Sequence, residues 1–318
     1  MSTVYPFRAL RPRPDDVARV AAVPYDVVTT SEARALAEGN PQSFLRVSRP
    51  ELELPTDVDP YSDAVYARAK ANFEALRTSS LVLETEPSVY FYRLQMGDHV
   101  QTGLAACYSI DEYDRDLIRK HERTRRDKED DRTKHMLALG AQTGPVFLTY
   151  RANAAIDAAA ADVTTRKPLF AFTAADGVSH TMWRVTGGEC EAVVAAFRQI
   201  PALYIADGHH RAASAARTRR QMADLGLSGA NLGDGADFNT VLAVAFPDTQ
   251  MRVLAYNRIV KDLAGLAPDA FLAAVRERFT LTPGPASPLH RGEIAMYFDN
   301  SWSTLVPRCN GDAGPGVR

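Results

Sequence analysis

Apolar and polar positions alternate between helical and strand periods along most of the chain. This predicts a mixed α/β protein (α+β, with a mixed sheet) rather than an all-helical or all-strand one. Residues 20–28 read as a short strand ending in Pro24-Tyr25-Asp26. Thr29 and Glu32 have capping-box spacing, predicting a helix through Ala37 that Gly39-Asn40-Pro41 stops. Phe44-Leu45-Arg46-Val47-Ser48 reads as a second short strand closed by Pro50, and the acidic, proline-rich stretch 51–60 as a surface loop. Tyr61 to Leu76 has helical spacing, and Val89-Tyr90-Phe91-Tyr92 with Gly103 to Tyr108 predicts a hairpin across Gly97-Asp98. Pro145 to Tyr150 reads as a buried strand, 152–162 and 189–199 as helices, and His180 to Val185 as a strand between them. Trp183 and Tyr90-Phe91-Tyr92 are expected in the core.

The glycines between Gly226 and Gly235 mark the best internal boundary. They divide a larger domain, residues 1–228, from a smaller α/β unit, residues 236–308. The smaller unit is expected to run strand (Thr240 to Phe246), helix (Pro268 to Phe279), strand (Glu293 to Phe298). Residues 309–318, rich in glycine and small polar types, read as a disordered tail.

Composition narrows the function classes. The chain has 318 residues, 46% hydrophobic and 24% charged, an ordinary globular balance. Its net charge of -2 gives no overall basic field for nucleic acid or an anionic membrane. No apolar run is long enough to span a bilayer, and the first residues lack the apolar region of a signal peptide. Cys107, Cys190 and Cys309 are in no metal-ligand spacing and read as reduced thiols. A cytoplasmic protein without a membrane partner is the expectation.

Chemistry concentrates in two segments. In Leu203-Tyr204-Ile205-Ala206-Asp207-Gly208-His209-His210-Arg211, an apolar strand runs into Asp-Gly and an alanine-rich helix follows at once. Gly208 permits a turn that a Cβ would hinder. The amides of 208–211 are then free donors at a helix N-terminus, suited to phosphate, with His209, His210 and Arg211 adding side-chain donors. The second segment, Ile118 to Lys134, is densely charged with both signs interleaved. Its end, 129–134, reads as a solvated helix face with Asp127 and Asp131 paired to Lys128 and Arg132. His121-Glu122-Arg123-Thr124 precedes that helix, where a carboxylate among cations suits a general base or a metal–nucleotide site. A third, N-terminal cluster holds Tyr25, Asp26, Asn40 and Arg46. Turn chemistry is its simpler explanation, with pocket lining the alternative. The glycine-rich stretch 226–235 matches neither a dinucleotide fingerprint nor a P-loop and is assigned no nucleotide role.

The loop Asp207-Gly208-His209-His210-Arg211 resembles the signature of the free L-serine kinases, which have a ParB/sulfiredoxin-like fold. His121-Glu122 resembles the segment carrying their catalytic glutamate. The chain is more similar still to a broad family of uncharacterised bacterial proteins related to those kinases. It shares with them Pro24-Tyr25-Asp26-Val27, Asn40-Pro41, Phe44-Leu45-Arg46-Val47, the run from His121 to Arg132, and Gly144-Pro145-Val146-Phe147.

The resemblance implies magnesium-dependent phosphoryl transfer from ATP or ADP to the hydroxyl of free L-serine or a similar small hydroxylated metabolite. It implies Glu122 as base and Asp207 as the residue orienting the hydroxyl or the metal. Gly208, His209, His210 and Arg211 would hold the transferred group. His121, Arg123, Thr124, Lys128 and Arg132 are candidates for the nucleotide side. Tyr25, Asp26, Asn40, Arg46 and Arg258 are candidates for the substrate pocket.

Two departures stand out. Asn257 precedes Arg258 where relatives have His, and no Pro-Pro-Lys-Ser-Thr-like segment follows Arg291-Gly292-Glu293-Ile294-Ala295. The rival expectations are a non-catalytic nucleotide-binding regulatory or scaffold protein, and a ParB-type DNA-associated module. The second is disfavoured by the net charge of -2 and by the lack of a recognition helix after Arg211.

Overall fold

The computed structural model describes residues 1–225, 237–254 and 257–308, and the chain divides into two compact units, Met1–Met251 and Arg252–Arg318. Among the described residues, the first unit is built on a nine-stranded mixed sheet. From one edge the strands run Ile118–Arg119, Leu203–Asp207, Val146–Tyr150, Thr240–Pro247, His99–Ser109, Val89–Met96, Ser179–Val185 and Phe170–Thr173, while Val4–Tyr5 pairs with the end of His99–Ser109. Leu203–Asp207 runs parallel to Ile118–Arg119, and Val146–Tyr150 parallel to Thr240–Pro247; the remaining pairs are antiparallel. A two-stranded sheet, Leu10–Pro12 with Leu81–Leu83, stands apart.

Alternation along the strands sorts side chains onto two faces. Phe91, Leu104, Ala106, Tyr108, Leu148, Leu203 and Ile205 belong to one buried cluster. Ile156, Val163, Cys190, Val193, Phe197, Ala212 and Ala216 join it from the helices Ala154–Val163, Gly187–Phe197 and His209–Asp224. Tyr90, Ala105, Val244 and Phe246 form a second cluster with Phe7, Tyr92 and Met182. Trp183 is buried, and its indole N–H donates to the Arg166 carbonyl at 2.9 Å.

Several expected elements are present: the helix Thr30–Ala37 with its complete Thr29/Glu32 capping box, the helix Asp63–Ser79, and the hairpin turning at Gly97-Asp98. Others differ. The strand expected over 20–28 is absent; a short helix, Val17–Val20, leads into turns. Phe44 to Ser48 is not a strand but a helical turn, Leu45–Ser48, which buries Leu45 and Val47. Four residues are too few for a helical period to show, so an apolar run there mimics a strand.

Thr240–Pro247, expected to open the smaller unit, lies inside the large sheet between His99–Ser109 and Val146–Tyr150. The division falls after Met251 instead. The second unit pairs Phe279–Pro283 and Ile294–Phe298 on either side of Ser301–Pro307, with the helix Pro268–Arg278 packed through Phe271 on Phe298 at 5.2 Å. The glycine-rich stretch 226–235 and the expected tail 309–318 lie outside the described residues.

Candidate functional site

The sheet order explains why the two charged segments meet. Leu203–Asp207 has Ile118–Arg119 as its parallel neighbour, so both strands end at the same edge and both chains leave in the same direction. After Asp207 the chain turns at Gly208, in the left-handed conformation with φ 93°, and enters the 16-residue helix His209–Asp224. No side chain among the described residues caps that helix, so none of them uses the amide donors of its first turn as a capping group. After Arg119 the chain passes through His121 to Arg125 and enters the helix Arg126–Leu139, which packs along His209–Asp224.

His209 and His210 tie these two segments together. The His121 amide donates to His209 Nε2 at 3.5 Å, and the Arg125 amide donates to His210 Nε2 at 3.1 Å. The His121 and His209 rings meet edge to face with centroids 4.4 Å apart. Burial first, then the neighbouring His121, holds the His209 pKa below its usual value, so the ring is neutral at pH 7. With Nε2 accepting, the proton sits on Nδ1, which faces Glu122 Oε2 at 3.5 Å. Glu122 itself is 59% exposed on its side chain, open to a ligand.

Arg211 is buried beneath the loop. Its guanidinium pairs with Asp207 at 2.5 Å, lies 3.7 Å from Asp26 and donates to the Pro145 carbonyl. Its Nε has no hydrogen-bond partner among the described residues. Arg211 therefore organises the loop from below, with Asp207 66% exposed above it.

Tyr25 and Asp26 do reach the site, although the sequence favoured turn chemistry for them. Tyr25 packs under the Arg132 guanidinium at 4.2 Å, and Asp26 faces Arg211. Asn40 and Arg46 serve structure. Asn40 donates to the Arg19 carbonyl at 2.8 Å, and Arg46 donates to the carbonyls of Asn40 and Ala37 and pairs with Glu53 at 2.5 Å. Arg258 belongs to the second unit.

The helix Arg126–Leu139 departs from expectation. Asp131 and Arg132 are not on a solvated face with i,i+4 partners; both are buried and pair with each other at 2.7 Å. The Tyr66 hydroxyl donates to Asp131 at 2.9 Å, and His135 bonds the Val47 carbonyl at 2.9 Å. Asp127 pairs instead with Arg125 at 2.7 Å. Lys128 reaches the Tyr61 hydroxyl at 3.2 Å, and Thr124 donates to Glu129. Arg123 is exposed and has no partner among the described residues. Sequence reasoning missed the Tyr66–Asp131–Arg132–Tyr25 chain, because no local pattern marks a charge pair as internal.

No group of three or more His, Cys, Asp or Glu among the described residues could hold a metal by itself. Magnesium is commonly held by one or two carboxylates together with substrate phosphates, and Glu122, Asp207 and Asp26 are the exposed carboxylates here. No helix among the described residues is long and apolar enough to cross a membrane.

A mixed α/β unit with an uncapped helix start beside a carboxylate defines the class of site. The chain matches, over residues 4–314, the family described as "Protein of unknown function (DUF1015)", and it belongs to that family. No curated protein and no solved structure matches it.

Proposed function

We propose that this chain is a phosphotransferase with a ParB/sulfiredoxin-like nucleotide-binding core. It moves a phosphoryl group from ATP or ADP, with magnesium, to the hydroxyl of free L-serine or a similar small metabolite. The observation that carries the reading is the meeting of Glu122 with the start of the helix His209–Asp224, through His209 at 3.5 Å. Phosphoryl transfer asks a protein mainly for positioning and charge stabilisation. The free amides and positive dipole end of an uncapped helix favour a phosphate. An exposed carboxylate at the same edge can take the hydroxyl proton as the oxygen bonds to phosphorus and the nucleoside phosphate leaves.

Roles follow from the contacts. Glu122 is the base, and neutral His209 stands beside it, with Nδ1 3.5 Å from Oε2. His210 fixes the 121–125 segment, and exposed Arg123 is placed to meet nucleotide phosphates. Arg211 acts by positioning Asp207 and supporting the Gly208 turn. Magnesium, when bound with nucleotide, would neutralise phosphate charge, with Glu122 or Asp207 among its ligands.

Purified protein incubated with ATP or ADP, magnesium and L-serine is expected to yield O-phosphoserine by phosphorus NMR. Glu122→Gln and Asp207→Asn should each abolish it. Nucleotide binding without product from either donor would instead favour the regulatory or scaffold reading, or another acceptor. Retarded DNA at moderate salt would favour a ParB-type module.

A further inference from the structure

Arg211 faces two carboxylates with one charge. Its Nη2 is 2.5 Å from Asp207 Oδ2 and 3.7 Å from Asp26 Oδ2. The Arg211 side chain is 9% exposed, whereas those of Asp207 and Asp26 are 66% and 41% exposed. Removing the counter-ion of a buried cation is strongly destabilising, because nothing then repays its desolvation. Asp207 therefore cannot simply leave Arg211. Yet no other side chain among the described residues bonds its carboxylate, and its exposure opens it to a ligand.

Asp26 is held independently of that pair. It lies in a turn, Pro24 to Val27, closed by the Val27 amide donating to the Pro24 carbonyl at 3.3 Å. The residues flanking the turn, Val23 and Val28, pack on the buried cluster of Ala33, Ala37, Leu45 and Leu52. Arg49 donates to the carbonyls of Tyr25 at 2.9 Å and Val28 at 2.7 Å, and the Tyr25 ring lies against the Arg132 guanidinium at 4.2 Å. None of these anchors involves Arg211 or the 207–211 loop, so Asp26 keeps its place whatever Asp207 does. Charge-assisted hydrogen bonds sit at about 2.8 Å, so a movement of about 1 Å closes the Asp26–Arg211 pair.

We infer that Asp26 is a positioning residue, which takes over the Arg211 guanidinium when Asp207 turns to a bound ligand. The loop thereby exchanges one buried ion pair for another instead of losing one. The exchange is a property of these three side chains. That the ligand drawing Asp207 away is a magnesium-bound nucleotide rests on the phosphotransferase reading.

A double-mutant cycle in the ligand-free protein, read by urea denaturation, tests the sharing of Arg211. Asp26→Asn and Asp207→Asn should each raise the unfolding constant only slightly, because the other carboxylate keeps Arg211 paired. The double variant should exceed the product of the two effects by about tenfold, a coupling expected of residues that share a partner. In an Arg211→Met background the same substitutions should combine without coupling. If the double variant does not fold, Arg211→Met should restore its folding. A cycle without coupling, or a double variant that Arg211→Met fails to rescue, would overturn the exchange. Isothermal titration with ADP and ATP in turn reads its use by ligand. Asp26→Asn should lose several-fold more affinity with magnesium than without it, and Asp26→Glu should recover that loss. An equal loss in both conditions would overturn the link to Asp207's ligand. Wild-type protein that binds neither nucleotide with magnesium, while the coupling persists, would overturn the phosphotransferase reading and leave the exchange standing.

Discussion

Gly208 sets the geometry on which the loop depends. Its φ of 93° is one that side-chain-bearing residues rarely adopt, and a Cβ there would stand 3.1 Å from the Arg211 guanidinium carbon and 3.4 Å from Val146 Cα. Arg211 in turn holds Asp207 and Pro145, so backbone and guanidinium are fitted to each other. Gly208→Ala is expected to lower stability by about 1–2 kcal/mol, the cost of placing an L side chain in the left-handed region. It should also displace Arg211. Urea denaturation checks the first effect; an unchanged midpoint would show that the turn relaxes freely. Arg211→Lys tests the guanidinium separately. A lysine keeps the charge but cannot span Asp207 and the Pro145 carbonyl together, so under the proposed function nucleotide affinity should fall even where the fold survives. Isothermal titration with ATP or ADP reads that loss.

The helix Arg126–Leu139 shows at the scale of an element what a sequence pattern can and cannot carry. It is dominated by charge, yet Asp131, Arg132, Thr133 and His135 are buried. Burial pulls the His135 pKa down to about 4, and its Nε2–H donates to the Val47 carbonyl, so the folded protein holds it neutral. The folded pKa lies below the unfolded one. The stability it contributes is therefore complete above about pH 6.5, and falls with pH down to about 4, because only the unfolded chain takes up the proton in that window. The size is on the order of 3 kcal/mol. Thermal melts from pH 7 to pH 4 should show that loss in the wild type and a shallower slope in His135→Gln; equal slopes would place His135 elsewhere in the acid response.

Legibility followed the range of the interactions. The Thr29/Glu32 cap and the Gly97-Asp98 turn are local, and both stood in the sequence as they stand in the fold. The loop at 207–211 was equally legible, since strand, glycine and helix are contiguous. Tyr25 against Arg132 and Asp26 against Arg211 are long-range contacts set by how the N-terminal segment packs, and spacing alone does not encode them. Phe44 to Ser48 was misjudged because a single helical turn and a short strand share the same apolar signature.

For the molecule as a whole, the position of Thr240–Pro247 decides how the chain is partitioned. This strand lies between two strands of the large sheet and buries Val241, Ala243, Ala245 and Phe246. A cut at the glycine-rich stretch before it would remove an interior strand and expose that core. A cut after Met251 removes none of the nine strands of the large sheet. The chain just beyond also meets a protease readily: Val253 is 96% and Ile259 93% exposed, with Arg252, Arg258 and Lys261 as tryptic sites. Brief trypsin digestion of the whole protein is therefore expected to leave a fragment of roughly residues 1–251, identified by mass spectrometry. It should keep native circular dichroism and, because Glu122 and Asp207 to Arg211 all lie in the first unit, the nucleotide affinity that the proposed function calls for. If cleavage between 226 and 239 yielded a stable product ending there, the interior strand would be dispensable and the division after Met251 would be wrong. If the 1–251 fragment stayed folded but lost nucleotide, the second unit would contribute directly to the site, and Arg258 would be the first residue to substitute.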